Sequence, residues 1–304
     1  MTGISTCWRS AESTDGNELL DAFLDLGFNT LEIDYRVGED ELKQVKRRLM
    51  SSEFNVLSVH NFCPLPRDIP KSEANGDLFV LSARDREERR IAVKHATRTL
   101  QLAADLEASA VVFHCGFVEM DEELERLFGY FEDDKIDSDI YRNWFTSKIA
   151  ERREKAHPHF DSVLKSLDEL NEKACRLGVL IGVENRYRYD QIPFREEYDI
   201  IFREFEGGNV RYWHDVGHAE IFHRLEISNH YRDFLDRYRE QLAGVHIHDI
   251  RGLEDHLAPG QGSYDFKRLE PYLEDFTIRI LEIHPKVGKK EAQNGVELLK
   301  SQGL

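Results

Sequence analysis

Eight short runs of β-type apolar residues, separated by stretches with helical periodicity, limit the fold of this chain more than any other feature. The runs are ISTCW (4–8), TLEID (30–34), VLSVH (56–60), AVVFH (110–114), VLIGVE (179–184), VRYWHD (210–215), AGVHIH (243–248) and IRILEIH (278–284). Between them, apolar residues recur at helical spacing. Leu19, Leu20, Phe23 and Leu26 form one stripe. Ile91, His95, Thr99, Leu100, Ala103 and Ala104 form a second, and Phe160, Val163, Leu164, Leu167, Leu170 and Ala174 a third. Eight buried strands alternating with helices over 304 residues predict an α/β fold of the (β/α)₈ barrel type, a single domain over residues 1–304. A doubly wound sheet needs a glycine-rich phosphate turn after an early strand. ISTCWRSAEST has none, and no G-x-x-x-x-G-K occurs.

One connection is too long for regular alternation. About 60 residues separate the fourth and fifth strands, well above the usual loop length. We read residues 117–157 as an insertion. Its stretch 118–145 is acidic and aromatic together, and reads equally as a plain excursion, a lid or a subunit contact, so a homo-oligomer is among the expectations.

The formal net charge of −17 argues against nucleic acid as a partner, because that binding needs a basic footprint. No apolar run approaches a bilayer span. The N-terminal MTGISTCWRS lacks the pattern of a secretory signal. Cys7, Cys63, Cys115 and Cys175 are widely spaced, with no C-x-x-C pair, and read as free thiols of a cytoplasmic protein.

The polar residues that carry information lie at the strand ends. Parallel-barrel strands should be Val, Ile and Leu. Here the third run ends in His60, the fourth in His114 and the fifth in Glu184. The sixth ends in Asp215, with His218 following. The seventh ends in His246 and His248, and the eighth carries Glu282. In a barrel these ends converge on one mouth. Singly, each has a plain explanation: a satisfied core histidine for His60 or His114, an ion pair of Glu184 with Arg186, a helix cap for Asp215. Together they are better explained by a cation, because clustered buried carboxylates are very costly alone. Carboxylates with imidazoles suit Zn, Mn, Co or Fe, and a site without paired cysteines is not a thiolate site. His246 and His248 share strand parity, so spacing alone does not choose between them. His214 has the opposite parity to Asp215 and reads as wall or outer support. His284 reads as structural or loop-borne.

In that order VENR, HDVGH, VHIHD, DHLAPGQGSYDF and LEIH resemble the xylose-isomerase-like TIM barrels, a superfamily of sugar isomerases, ketose 3-epimerases and endonuclease IV. The resemblance runs from SVHNFCP through VVFHCG to LEIHP. It implies one divalent metal (Zn, Mn, Co, Fe or Mg) held by Glu184, Asp215, His246 and Glu282, with His246 chosen as the first histidine of H-x-x-D. It also implies ligands for a second and third metal at His60, His114, His218, Glu254 and His256, the glutamate standing where relatives have aspartate.

The expected activity is isomerisation or epimerisation of a sugar, sugar phosphate or keto acid, with Glu184 and Glu282 as acid–base residues. His60, Arg186, His218, Arg251 and Trp8 are expected at the substrate, His248 either there or just behind the ligands with Asp249 as its partner, and PGQG as a turn returning over the pocket. The alternative is an endonuclease-IV-like zinc phosphodiesterase acting on abasic DNA. NRYRYDQIP after Glu184 resembles the isomerase-type relatives more. A binding protein on an old barrel ranks last.

Overall fold

A computed structural model describes residues 2–304. Its barrel strands are β1 (Thr2–Ser5), β2 (Thr30–Ile33), β3 (Asn55–His60), β4 (Ala110–Phe113), β5 (Leu180–Glu184), β6 (Val210–Asp215) and β7 (Leu242–Ile247). A two-stranded hairpin, β8 (Asp249–Arg251) and β9 (Glu254–Leu257), precedes the last barrel strand, β10 (Ile278–Leu281). Neighbouring barrel strands pair in parallel, in chain order, and β10 closes on β1. Each of the eight apolar runs supplies one barrel strand. The first is offset: β1 covers Thr2–Ser5, and Cys7–Ser10 form a helical turn.

The expected helix faces are present with one rotation. Leu19, Leu20 and Phe23 are buried in the helix Gly16–Leu24, whose Asp15 side chain caps the N–H groups of Asn17 and Glu18. In Arg86–Asp105 the buried face is Ala92, Val93, Ala96, Thr99, Leu100 and Ala103, whereas Ile91 is exposed. Alanines at i and i+4 let this helix lie close on the barrel, and the larger Ile91 turns outward.

The long connection is helical. Leu124–Glu132 is one helix, and the next runs unbroken from Asp139 to Leu177, 39 residues with Pro158 inside. Its second half is the barrel helix, burying Val163, Leu167, Leu170 and Ala174. Its first half extends that helix past the mouth of the barrel. There Tyr141 and Trp144 pack with Tyr130, and Trp144 meets Tyr189 of the loop after β5 edge-on. The Tyr141 hydroxyl donates to the Leu225 carbonyl at 2.6 Å. The extension therefore braces the rim of the mouth.

Inside the barrel, Trp213, Ala110, Val112, Ile278 and Ile280 form a separate apolar cluster. A side chain on Gly244 or Gly182 would overlap the Trp213 indole, so the flanking strands need glycine there. The indole lies 5.3 Å from the His246 ring and gives the site a dry floor. Among the described residues, no helix is long and apolar enough to cross a membrane.

Candidate metal centre

Four strands adjacent in the barrel, β5, β6, β7 and β10, bring their C-terminal ends together. Glu184 ends β5, Asp215 ends β6, His246 is the penultimate residue of β7, and Glu282 directly follows β10. One ligand atom from each lies within 4.8 Å of the others. His246 Nδ1 is 2.7 Å from Glu184 Oε1, 2.9 Å from Glu282 Oε2 and 3.7 Å from Asp215 Oδ2. Asp215 is also the cap of helix Val216–Arg224, accepting the His218 N–H at Oδ1 (2.7 Å). The cap fixes the rotamer that presents its other oxygen to the centre, so the cap reading and the ligand reading describe one geometry.

Three further groups surround this one: His60, His114 and Glu184; Asp215, His248 and His256; His218, Asp255 and His256. Their hydrogen bonds decide which ring nitrogens are bare. His60 Nδ1 donates to the Asn61 carbonyl (3.0 Å), and His218 Nδ1 to the Asn185 carbonyl (2.9 Å). In each, Nε2 is left for a ligand, the tautomer a metal-binding histidine needs. His248 is reversed: its Nδ1 accepts the His256 N–H (2.8 Å), so Nε2 carries the proton and donates to Asp215 (3.1 Å). His248 thus orients Asp215. Its ring stacks on His256 at 4.1 Å. A side chain on Gly217 would overlap the His248 ring, and one on Gly76 the His114 ring.

Four expectations are revised. Glu254 is exposed and pairs with Arg251 (2.8 Å); it is Asp255 that groups with His218 and His256, close enough for the three to hold an ion together. The reason is the backbone of His256, whose φ of 54° breaks strand alternation and turns both Asp255 and His256 inward. Arg251, exposed at the hairpin tip, does not line the cavity. Trp8 is buried against Phe23, its indole N–H donating to the Val287 carbonyl (2.8 Å), and it does not form a cavity wall. Asp249 does not partner His248. Its carboxylate accepts the N–H groups of Ile250, Gly260, Gly262 and Tyr264 at 2.8–3.0 Å and holds the PGQG turn.

Other residues escape the sequence reading. Glu32 on β2 is fully buried, with Oε2 3.1 Å from His246 Nε2 and 2.7 Å from Ser58 Oγ, while Oε1 has no hydrogen-bond partner. A charged residue inside the run TLEID is the available signal. Asp77, 3.3 Å from His114 Nδ1, lies in an irregular connection without one. Tyr35 and Tyr187 join His60, His114, Glu184, Arg186, His218, Asp255, His256 and Glu282 around a cavity of about 220 Å³.

Five carboxylates (Glu32, Glu184, Asp215, Asp255 and Glu282) face this region, with Arg186 as the guanidinium in the cavity wall. Burial opposes charge on His246, but Glu282 and Glu32 overcome it and hold its pKa well above the usual histidine value. His256 is held up in the same way against burial, by Asp255 and Glu282. Burial takes His218 down to about 4. Glu184 stays ionised despite burial, because Arg186 and His114 sit on it.

The metal-free protein therefore has a predictable alkaline limb. A histidine raised in the folded state stabilises fully below its unfolded pKa of about 6.5, and that contribution is lost as pH rises through the folded pKa. The thermal midpoint in chelator should fall as pH is raised above about 7, and added divalent metal should flatten the fall. A midpoint that stays level or rises in chelator contradicts the assignment.

Residues 20–302 match the model of a family described as xylose isomerase-like TIM barrel. Over 128 residues the chain is 30% identical to an uncharacterised protein of Methanocaldococcus jannaschii, a match that spans 41% of this chain and 47% of that one, about half the relative's length. Among solved structures it resembles a 3-keto-D-glucoside 4-epimerase from E. coli (TM-score 0.68, 17% identity, 99% of this chain and 98% of that one). It also resembles a D-psicose 3-epimerase from Clostridium cellulolyticum (0.64, 14%, 99% and 98%). A third is a Thermus thermophilus protein from a crystal soaked with zinc chloride (0.57, 18%, 99% and 97%). At these identities the structural likeness is one of fold. The match to the family model over nearly the whole chain shows more: this chain belongs to the xylose isomerase-like TIM barrel family.

Proposed function

We propose that the protein is a divalent-metal-dependent isomerase or epimerase acting on a small keto sugar or related hydroxy-ketone. The observation that carries this reading is the placement of two carboxylates, Glu184 and Glu282, on either side of His246 Nδ1 and beside Asp215, in the wall of a cavity of about 220 Å³. The donor set fits a metal by its chemistry: three buried carboxylates meet at one imidazole nitrogen, and an uncompensated cluster of that kind is costly. Glu184, Asp215, His246 and Glu282 would hold the ion. A bound divalent ion supplies Lewis-acid polarisation of a substrate carbonyl. The cavity's size suits a small polyol, and the epimerase activities named for similar structures agree with that class.

The chain's own groups then divide the work. Glu184 lies in the cavity wall as a carboxylate paired with Arg186 and His114, and its position makes it the candidate to take a proton from carbon. Glu282 approaches from a different strand, with Oε2 also 3.6 Å from His256 Nε2, and is placed to return a proton. Arg186 and the bare Nε2 of His60 and His218 are available to substrate oxygens. The free state of all four cysteines agrees with a cytoplasmic setting.

The test is solvent deuterium. With Mn²⁺, Co²⁺ or Zn²⁺ supplied, a panel of keto sugars and their phosphates should take up deuterium at the carbon next to the carbonyl, and chelation should stop it. If no member of the panel exchanges, the proposal fails.

A second reading rests on the additional clusters. With one divalent ion, five carboxylates and one arginine leave the site net negative, suited to a neutral sugar. With three ions it becomes net positive, suited to a phosphodiester, as in the endonuclease-IV-like alternative. The chain's net charge of −17 counts against a duplex partner. Metal content per chain discriminates the two.

A further inference from the structure

Behind the centre lies a second buried polar array that none of the chemistry above uses. Tyr212, His214 and His230 are fully buried. The Tyr212 hydroxyl is 2.7 Å from His214 Nδ1, His214 Nε2 is 3.0 Å from His230 Nε2, and His230 Nδ1 is 3.0 Å from Glu220 Oε2. The array is anchored at both ends. At its inner end the Tyr212 hydroxyl reaches Asn185 Oδ1 at 3.0 Å. Asn185 grips the backbone of Asp215 on both sides: its Oδ1 accepts the Asp215 N–H (2.7 Å) and its Nδ2 donates to the Asp215 carbonyl (2.9 Å). At its outer end Glu220 Oε1 accepts from Arg224 Nε (3.1 Å). Arg224 in turn donates to the Gly252 carbonyl (2.7 Å), in the turn of the β8–β9 hairpin, and to Ser263 Oγ (3.0 Å), on the loop after it.

Asn185 Oδ1 and the Glu220 carboxylate only accept, so the four hydrogen bonds between them need one proton more than the hydroxyl and two neutral imidazoles supply, and once it is bound the sense of each bond sets the sense of the next. Packing alone does not require this. Apolar side chains would fill the same space without desolvating four polar groups.

We propose that Tyr212, His214, His230 and Glu220 are positioning residues for Asp215: the chain orients Asn185, and Asn185 holds the backbone that carries the Asp215 carboxylate. The inference concerns the arm behind the metal centre and rests in part on the reading of that centre.

The test compares Tyr212→Phe, Glu220→Gln and the double variant with Tyr238→Phe. Tyr238 is a buried tyrosine, 4% exposed against 0% for Tyr212, whose hydroxyl donates to Asp199 outside the chain. Two quantities are read: amide hydrogen exchange of the segment 210–218, and Co²⁺ affinity. Each single variant should speed exchange in that segment and weaken Co²⁺ about 10-fold, the scale of outer-partner effects on metal sites. The double variant should be no weaker than the worse single, because both act through one chain. Tyr238→Phe should lose some stability and leave both readouts unchanged. Singles that behave like Tyr238→Phe overturn the inference, as does a double variant whose loss is the product of the singles. If the parent protein takes up no Co²⁺, the metal reading fails, while the exchange experiment still decides the chain.

Discussion

Replacing Glu282 by glutamine should lower kcat for deuterium exchange by about 10²–10⁴-fold, the range a positioned acid or base contributes. The fold should survive. The Glu282 backbone N–H still bonds the Ile247 carbonyl, and the side chain keeps its volume. Metal-free stability should fall in part, because Glu282 helps to hold the charge on His246 and His256. Turnover should collapse far beyond that loss, in protein that thermal melting shows to be still folded at the assay temperature. Glu282→Asp keeps the charge but draws the carboxylate back by one methylene, and a misplacement on that scale can cost about 10²-fold. An exchange rate in Glu282→Gln within about 3-fold of the parent would remove Glu282 from the proton-transfer step.

Asp249→Ala should give the largest loss of stability, on the order of 3 kcal/mol. One buried carboxylate accepts four backbone N–H groups there, at Ile250, Gly260, Gly262 and Tyr264. Hydrogen bonds to a charged acceptor are strong, and donors left without one bear their desolvation cost. The damage should spread to the hairpin, because Asp249 begins β8, and β9 carries Asp255 and His256. Asp249→Asn should be intermediate, since its amide nitrogen faces N–H groups. Urea denaturation measures all three proteins. A midpoint for Asp249→Ala that corresponds to less than about 1 kcal/mol would show that the turn is held by other contacts.

The legible part of the site is the part written along strands. Glu184, Asp215, His246 and Glu282 stand out because a barrel strand is expected to be apolar, and the structure sets them on four adjacent strands. Glu32 is equally buried, but inside a strand it reads as one polar residue among apolar neighbours. The third cluster reads one residue out of place, at Glu254 where Asp255 stands, because strand alternation fails at the positive φ of His256. His214 and His230 are 16 residues apart, on β6 and beyond the helix that follows it, and nothing in their spacing announces a hydrogen bond between them.

By itself the sequence determined the barrel, the order of its strands and the polar character of its mouth. These follow from local periodicity and from the rule that a buried strand end carries charge only for a reason. Tertiary structure alone decided which polar atoms meet: that His248 donates to Asp215, that Asp249 turns away to the PGQG loop, and that His246 lies between Glu184, Glu282 and Glu32. The physical reason is that a hydrogen bond depends on distance and direction between groups far apart in the chain, and those are set only when the barrel closes.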